Sequence, residues 1–327
     1  MVYLLDTCQS RLSKFFPRRK FSELHQHKTH IKMNISSKDG ISEVQFLPLV
    51  FHSLTPSLRQ RAEKELNESE ENITTGLAKL KELITREHTS YWMDDDFLIL
   101  FLRAKKFDVK KSFQQLKEYS HRRYLQKNIL CSEAMIKIAT SWDYRVCGIL
   151  PKRDHEGRAL LYFFANRFAS DEIDHNLVIA LIQVLLQFAL SFPASQISGV
   201  CFIADGSVTS MECVRVIYRY VSIFAPTAHM FPARFKRIDC INTSVFCQLA
   251  FKLMRPFMPS KLLRRVTLHG CEKDALLKIY SPDILPEEFG GTLGPLSEVQ
   301  NAWMDEFRKM VPKFVESNQY FQKAFYN

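Results

Sequence analysis

Hydrophobic positions follow two different periods along this chain, and each period predicts a different kind of structure. In the first part, apolar residues between Ile73 and Ile84 recur every three or four positions, which is typical of an amphipathic helix. Thr55 and Pro56 mark a helix start, because threonine can accept a hydrogen bond at the N-cap and proline suits the first turn. We expect a bundle of about four short helices over residues 53–128.

Short apolar runs alternate with helical patterns in the second part of the chain. The runs occupy residues 159–164, 199–204 and 235–242. Their β-branched and aromatic residues are typical of strands that are covered on both faces. Strands that alternate with helices predict an α/β fold with a mostly parallel sheet, which we expect over residues 135–295. Aromatic residues at Trp303, Phe307 and Phe314 predict one amphipathic helix in the last segment, 296–327.

Positive charge is concentrated in two parts of the sequence. The formal net charge is +10, of which residues 1–40 contribute +5 and residues 232–266 contribute +7, so the rest of the chain is close to neutral. Residues 1–50 are basic and weakly periodic, and we expect them to form a flexible extension. The second concentration predicts a docking surface for an anionic partner, with a solvated basic face as the alternative.

Cysteine usage and hydropathy exclude two classes of protein. The eight cysteines include no CxxC pair, and several lie in apolar runs, which favours reduced, buried thiols over a disulfide framework or a zinc site. The longest apolar run, 177–190, is 14 residues long and contains Gln183 and Gln187. It is too short to span a bilayer and is interpreted as a buried helix. We therefore expect a soluble cytoplasmic protein with no metal site and no cofactor.

No recognised catalytic motif is present in the sequence. It lacks the glycine-rich nucleotide-binding patterns and the G-x-S-x-G elbow of hydrolases. Asp205 follows a predicted strand, where α/β enzymes often keep an acid, but an aspartate that turns the chain together with Gly206 is the better interpretation. His269 is interpreted as a structural residue at a turn. We assign no catalytic residue, and an α/β hydrolase acting on a lipid ester remains the enzymatic alternative.

The basic region combines charge with an apolar helix. Ser244 can cap a helix that Pro256 ends, and basic residues lie on the strand before it and on the short helix after it. These residues are Arg234, Lys236, Lys261, Arg264 and Arg265. Nucleic-acid binding would need exposed aromatic residues among the charges. Phe246, Phe251 and Phe257 fall instead on apolar helix faces, so we expect no nucleic-acid partner.

Five segments resemble those of the CRAL-TRIO (Sec14-like) lipid-binding family. They are FLRAKKFDVKKSF, GVCFIAD, FPARFKRIDCIN, RPFMPSKLLRRVTLHG and LPEEFGGTL. They occur in the family's order over roughly residues 55–295, and they are most similar to the alpha-tocopherol transfer protein and retinaldehyde-binding protein branch. The resemblance implies a helical N-terminal domain and an α/β domain with a buried apolar cavity. That cavity would hold one tocopherol-, retinoid- or phospholipid-like molecule under a mobile helix.

The resemblance also implies roles for particular residues. The mobile helix, or gate, follows Asn242 and contains Phe246, Leu249 and Leu253. The implied ligand wall consists of Ile203, Ile223, Phe235 and Ile238. The implied phosphoinositide-binding residues are Arg234, Lys236, Lys261 and Arg265. Together these assignments predict a non-enzymatic carrier that docks transiently on phosphoinositide-containing membranes.

Overall fold

The first part of the described chain is helical. The computed structural model describes residues 46–87, 91–141, 145–169, 174–208, 210–224, 228–272 and 274–323. Within these ranges, five helices precede the first strand: α1 (Pro56–Leu66), α2 (Glu70–Arg86), α3 (Asp95–Ala104), α4 (Val109–Leu125) and α5 (Ser132–Ser141). The side chains of Thr55, Ser69, Asp94 and Asp108 cap α1 to α4 by accepting a backbone N–H. The first four helices match the bundle predicted from the apolar spacing.

A buried ion pair connects the helical region to the α/β region. The Arg103 guanidinium on α3 donates to Glu68, with Nε 2.8 Å from Oε2, and also donates to the Gln196 side chain. Arg103, Glu68 and Gln196 are all buried. Removing one partner of a buried pair is costly, because the other charge is then left without compensation. The contact therefore fixes α3 against the segment that contains Gln196.

The second part forms a five-stranded sheet in the described chain. Its strands are β1 (Cys147–Ile149), β2 (Ala159–Phe164), β3 (Val200–Asp205), β4 (Phe235–Ile241) and β5 (Val266–Leu268). They lie side by side in chain order. β1 pairs antiparallel with β2, and the other three pairings are parallel. The predicted α/β fold with a mostly parallel sheet is confirmed.

Five further α-helices lie between β2 and β5 in the sequence of the described chain. They are α6 (His175–Leu190), α7 (Pro193–Ser198), α8 (Met211–Phe224), α9 (Val245–Met254) and α10 (Ser260–Leu263). Alternate residues of β2 face opposite sides of the sheet. Leu161 packs with α6 in one core, whereas Leu160 packs with Tyr280 and Phe289 in another. Burial on both faces explains why the strands are continuous apolar runs.

The last segment consists of α11 (Leu296–Val299) and α12 (Asn301–Lys323). Trp303 and Phe307 pack into the core beside α6, and the Trp303 indole N–H donates to the Ile149 carbonyl at 2.9 Å. At the other end of α12, Phe321 packs into the core of the helical region. The amphipathic helix predicted in this segment therefore contributes to both cores.

The predicted flexible extension needs a correction at its end. Leu49 is buried, and its N–H donates to the Pro151 carbonyl at 2.7 Å. The buried Arg153 guanidinium donates to the carbonyls of Leu49 and Pro48, at 2.6 and 3.0 Å. Residues 46–50 are thus held against the α/β region by hydrogen bonds that a charge and periodicity count cannot reveal. The rest of the predicted extension, residues 1–45, lies outside the described residues. Within the described ranges, no helix combines the length and hydrophobicity needed to cross a membrane.

Candidate functional site

An apolar cavity of about 240 Å³ lies between the sheet and helices α6, α8 and α9. Its wall includes Leu161, Phe202, Phe235, Ile238, Leu186 and Ile217. Among the described residues of the wall there is no lysine, arginine, glutamate or histidine, and the more polar members are Tyr162, Gln183, Asp205 and Tyr220. Such a wall favours a hydrophobic occupant, because transfer of apolar surface from water into it is favourable.

Helix α9 closes one side of the cavity. The Ser244 Oγ accepts the Cys247 N–H at 3.1 Å and starts the helix. Cys247, Ala250, Phe251 and Met254, spaced i, i+3, i+4 and i+7, contribute to the cavity wall. That spacing places them on one helix face. Helix α9 therefore covers the cavity with one of its faces.

The other face of α9 carries apolar side chains that are exposed. We call Val245, Leu249, Leu253 and Phe257 the outer ridge; they are 80%, 37%, 46% and 45% exposed. The first three lie on α9 at four-residue spacing and Phe257 continues the row, so the four share one side of the segment. Exposed Lys252 and Arg255 lie among them. A ridge of large apolar side chains flanked by cations is typical of an interaction surface.

The inner face of α9 differs from the one expected. Leu249 and Leu253 belong to the outer ridge, and Phe246 packs against the cluster around Val208 and Cys213, so none of the three lies in the cavity wall. The sequence held a signal for this orientation. Polar Gln248 and Lys252 share the face of Leu249, which marks that face as the solvent side.

The expected wall residues on the strands divide into two groups. Phe235 and Ile238 line the cavity, whereas Ile203 is buried on the opposite side of the sheet. Its neighbours Phe202 and Ala204 face the cavity, as the period of two requires. The side chain of Ile223 lies outside the described part of the structure.

A bulge in β4 explains how Phe235 and Ile238 reach the same wall. Phe235 pairs with Val200 and Arg237 pairs with Cys201, so Lys236 is an extra residue in the strand. A bulge of this kind shifts the alternation of side chains.

The connection before α9 is hydrogen-bonded to Asp205. Its Oδ1 accepts the Ser207 N–H at 2.8 Å, and its Oδ2 accepts from the Asn242 Nδ2 at 2.8 Å. Asp205 therefore ties the end of β3 to the end of β4, which agrees with its interpretation as a turn residue. A Cβ on Gly206 would lie 2.6 Å from the Cys247 Sγ, so a larger residue there would displace the Cys247 side chain, and glycine permits the close approach of α9.

Four expected basic residues lie on two neighbouring elements. The Arg234 guanidinium is 2.7 Å from the Glu65 Oε2 on α1, and the Lys236 Nζ is 3.8 Å from the same oxygen. Arg265 donates to the Phe235 carbonyl. Burial lowers the pKa of Arg265, and the nearby charges of Arg234 and Arg264 lower it further. Arg234, Lys236 and Arg265 are thus close enough to act as one basic surface.

Lys261 adds a second part to this surface. It is exposed on α10, and it approaches Lys105, at the end of α3. Burial lowers the pKa of Lys105, Glu118 opposes this effect, and the charges of Lys261 and Lys111 lower the pKa further. Like charges repel one another, and a bound anion would relieve the repulsion between these lysines. The surface therefore favours an anionic partner.

Glu65 is a member of this surface that the sequence analysis missed. Burial raises the pKa of its carboxyl, but the hydrogen bond from Arg234 and the charges of Lys236, Arg234 and Arg61 outweigh burial and lower it. Glu65 therefore stays ionised and neutralises part of the basic surface. No sequence signal points to it, because 169 positions separate it from Arg234.

Two family models match this chain. The "CRAL/TRIO, N-terminal domain" matches residues 57–118, and the "CRAL/TRIO domain" matches residues 143–291. The chain belongs to the CRAL/TRIO family. In this CRAL/TRIO protein the second match contains the cavity, α9 and the basic residues of β4 and α10. The family predicted from the five sequence segments is confirmed, and the closeness to the tocopherol-transfer branch stays a prediction.

The chain is similar to curated proteins over most of its length. Clavesin-1 of Rattus norvegicus is 30% identical over 250 residues, which cover 74% of this chain and 70% of that protein. Clavesin-2 of Homo sapiens is 29% identical over 259 residues, covering 74% and 76%. A solved structure described as "Crystal structure of Sfh5" aligns with 80% of this chain and 98% of its own, at 12% identity and a TM-score of 0.47.

A polar cluster behind β4 accounts for His269. Its Nε2 lies 2.9 Å from the Asp239 Oδ1, and the Tyr280 hydroxyl donates to the Asp239 Oδ2 at 2.8 Å. Arg237 donates to both oxygens of the same carboxylate. Burial raises the pKa of the neighbouring Cys201 thiol to about 12, so it remains protonated. These contacts support the interpretation of His269 as structural.

Proposed function

We propose that this protein binds one hydrophobic small molecule in the cavity under α9 and carries it between membranes without chemical change. The observation that supports this most strongly is the apolar cavity closed by an amphipathic helix. Proteins of the CRAL/TRIO family bind lipids. Burial of about 12 methylenes stabilises a complex by roughly 10 kcal/mol, so unassisted release into water is slow.

Release then requires a membrane, and the outer ridge is suited to contact one. Val245, Leu249, Leu253 and Phe257 can enter the boundary between headgroups and acyl chains. Lys252 and Arg255 beside them are attracted to anionic lipids by about 1 kcal/mol each. Contact of this strength permits docking and departure. Because the ridge lies on the cover of the cavity, docking and opening involve the same helix.

The basic surface supports a more specific proposal, namely that it binds a phosphoinositide headgroup. Lys236 lies on β4 and Arg234 directly precedes it, while Lys261 lies on α10 and Arg265 follows it. Arginine offers paired donors to a phosphate, and lysine offers a point charge. A bound headgroup that interacts more favourably with the open position of α9 shifts the protein toward release.

The cargo is tested by native mass spectrometry of protein purified from lipid-containing cells. We expect one hydrophobic molecule per chain, recovered with an unchanged mass after transfer to acceptor vesicles. Ala250→Phe places a larger side chain in the wall and is expected to abolish occupancy, whereas Leu125→Phe, at an exposed site on α4, is not. An unoccupied protein that takes up no tocopherol, retinoid or phospholipid would contradict the proposal.

Docking is tested with vesicles of matched surface charge. The protein should prefer vesicles containing phosphoinositide bisphosphate over those containing phosphatidylserine. Lys236→Ala and Arg265→Ala should lose that preference, while Lys309→Ala, an exposed lysine on α12, should keep it. Equal binding to both vesicles would indicate a nonspecific basic surface.

A further inference from the structure

Gln183 is a buried polar residue in the cavity wall. It lies on α6, where it is 2% exposed and is surrounded in sequence by apolar residues from Leu177 to Phe188, interrupted otherwise by Gln187. Its Nε2 is 3.5 Å from the Ile179 carbonyl, a long contact for a hydrogen bond. Its Oε1 is buried and has no hydrogen-bond partner in the described part of the chain.

Gln187, on the same helix, differs from Gln183 because its side-chain oxygen has a hydrogen-bond partner within the protein. The Gln187 Oε1 accepts from the Arg123 guanidinium at 3.1 Å. Buried polar atoms in native proteins are almost always paired in this way, and an unpaired one needs an explanation. Leucine, the most frequent residue of α6, would avoid the cost of burying an unpaired amide oxygen. The unpaired amide oxygen of Gln183 therefore points to a partner that enters the cavity.

The orientation of the amide defines which chemical group that partner needs. The NH₂ group must face the Ile179 carbonyl, because rotation of the amide would bring two acceptor oxygens together. Gln183 consequently presents an acceptor. The other polar groups of the wall are engaged: the Tyr220 hydroxyl lies 2.6 Å from the His175 Nδ1, and both Asp205 oxygens accept hydrogen bonds.

We propose that the cavity selects a hydrophobic molecule with a hydroxyl group, which donates a hydrogen bond to the Gln183 Oε1. This inference rests on the proposed carrier function and narrows its ligand class to lipid alcohols. An ether, aldehyde or ester of the same skeleton cannot donate, so it leaves the amide oxygen unpaired. A site that hydrogen-bonds a hydroxyl discriminates against analogues that lack it.

A water molecule is the alternative hydrogen-bond partner of the Gln183 Oε1. Gln183 also borders a space of about 20 Å³, which Phe97, Tyr119 and Phe231 border on the side of the helical region. A water molecule there would pair the Oε1 without any ligand. In that case Gln183 supports the contact between α6 and the helical region and does not affect ligand choice.

The test compares ligands that differ in the donor hydrogen. α-Tocopherol with its methyl ether, and retinol with retinal, are measured by competition in native mass spectrometry. Wild type should bind the alcohol of at least one pair about tenfold more tightly than its partner, which corresponds to one hydrogen bond. Gln183→Leu should bind both members equally, with undiminished affinity for the ether or aldehyde.

Thermal unfolding of the unliganded proteins distinguishes a ligand hydroxyl from a water molecule as the partner of the Gln183 Oε1. Gln183→Leu should be as stable as wild type or more stable, because an unpaired buried acceptor is removed. Destabilisation together with unchanged selectivity would overturn the inference in favour of the water-filled space. Binding of both members without preference by wild type would also overturn it, while leaving the carrier function intact. Failure of wild type to bind any of the four molecules would overturn the inference, and it would count against the carrier function only if phospholipids also fail to bind.

Discussion

At the scale of single residues, the buried polar groups differ in how completely they are paired. Asp239 is fully buried and accepts from Arg237 and Tyr280, with the His269 ring nitrogen also in contact. Burial raises the pKa of its carboxyl, but the hydrogen bonds to Arg237, His269 and Tyr280, together with the charge of Arg237, outweigh burial and lower it below the ordinary value. A carboxylate satisfied this completely stabilises the fold, in contrast to the unpaired Gln183 amide oxygen.

Asp239→Asn should lower the free energy of unfolding by about 3 kcal/mol at pH 7, because it leaves the donors around it without their anion. Since the folded-state pKa is lowered, the carboxylate stabilises the protein above its unfolded pKa, and this contribution is lost as the pH falls through the folded value. Urea unfolding from pH 7 to pH 3 should show the two proteins converging. Asp305→Asn, at an exposed site on α12, should show little difference at any pH.

At the scale of elements, α1 controls the charge of a surface built by β4 and α10. Glu65 is its contribution, and it lies against Arg234 and Lys236 while being itself 38% exposed. In the docking that we propose, an anionic membrane would compete with this carboxylate for the same two cations. The helical region thus sets how strongly the basic surface attracts anions.

Glu65→Gln should increase binding to vesicles containing phosphoinositide bisphosphate by about fivefold, because about 1 kcal/mol of competing interaction is removed. Glu63→Gln is the matched control, since Glu63 is an exposed residue of the same helix. Sedimentation with vesicles measures both variants. An equal increase for Glu63→Gln would mean that net charge, and not the local ion pair, decides the affinity.

At the scale of the whole molecule, α12 joins the two cores. Phe307 lies in the core beside α6 and Phe321 lies in the core of the helical region. The Arg123 guanidinium of α4 also donates to the Asn318 side chain of α12, at 3.1 Å. A continuous helix that contributes to the core beside α6 and to the core of the helical region makes independent unfolding of either region costly.

Phe321→Ala should therefore lower the stability of both regions together, by about 3 kcal/mol. Unfolding followed by tryptophan fluorescence and by far-ultraviolet circular dichroism should give one coincident transition, shifted to lower urea. Tyr320→Ala, which truncates a 42% exposed aromatic residue of the same helix, should shift the transition much less. Two separate transitions in the Phe321→Ala protein would show that α12 does not couple the cores.

Local chemistry in the sequence determined the elements and the fold class. Thr55 and Ser244 cap helices where the pattern predicted helix starts, because capping depends on residues only two or three positions apart. The apolar runs became β2, β3 and β4 of a mostly parallel sheet, since alternation of strands with helices leaves few arrangements. The concentration of basic residues beside an apolar helix was likewise visible in the sequence.

Tertiary structure decided which side of each element forms the site. Helix α9 carries apolar side chains on more than one face. Polar Gln248 and Lys252 indicated which face is exposed, but only the folded structure placed Ala250 in the cavity wall and Leu249 on the outer ridge. The bulge at Lys236 changed the alternation of β4, and Glu65 reached the basic surface from a distant part of the chain. Gln183 was visible as a polar residue in an apolar run, but its unpaired oxygen was not. The physical reason is common to all four: burial and pairing depend on atoms that are far apart in the sequence, and these meet only when the chain has folded.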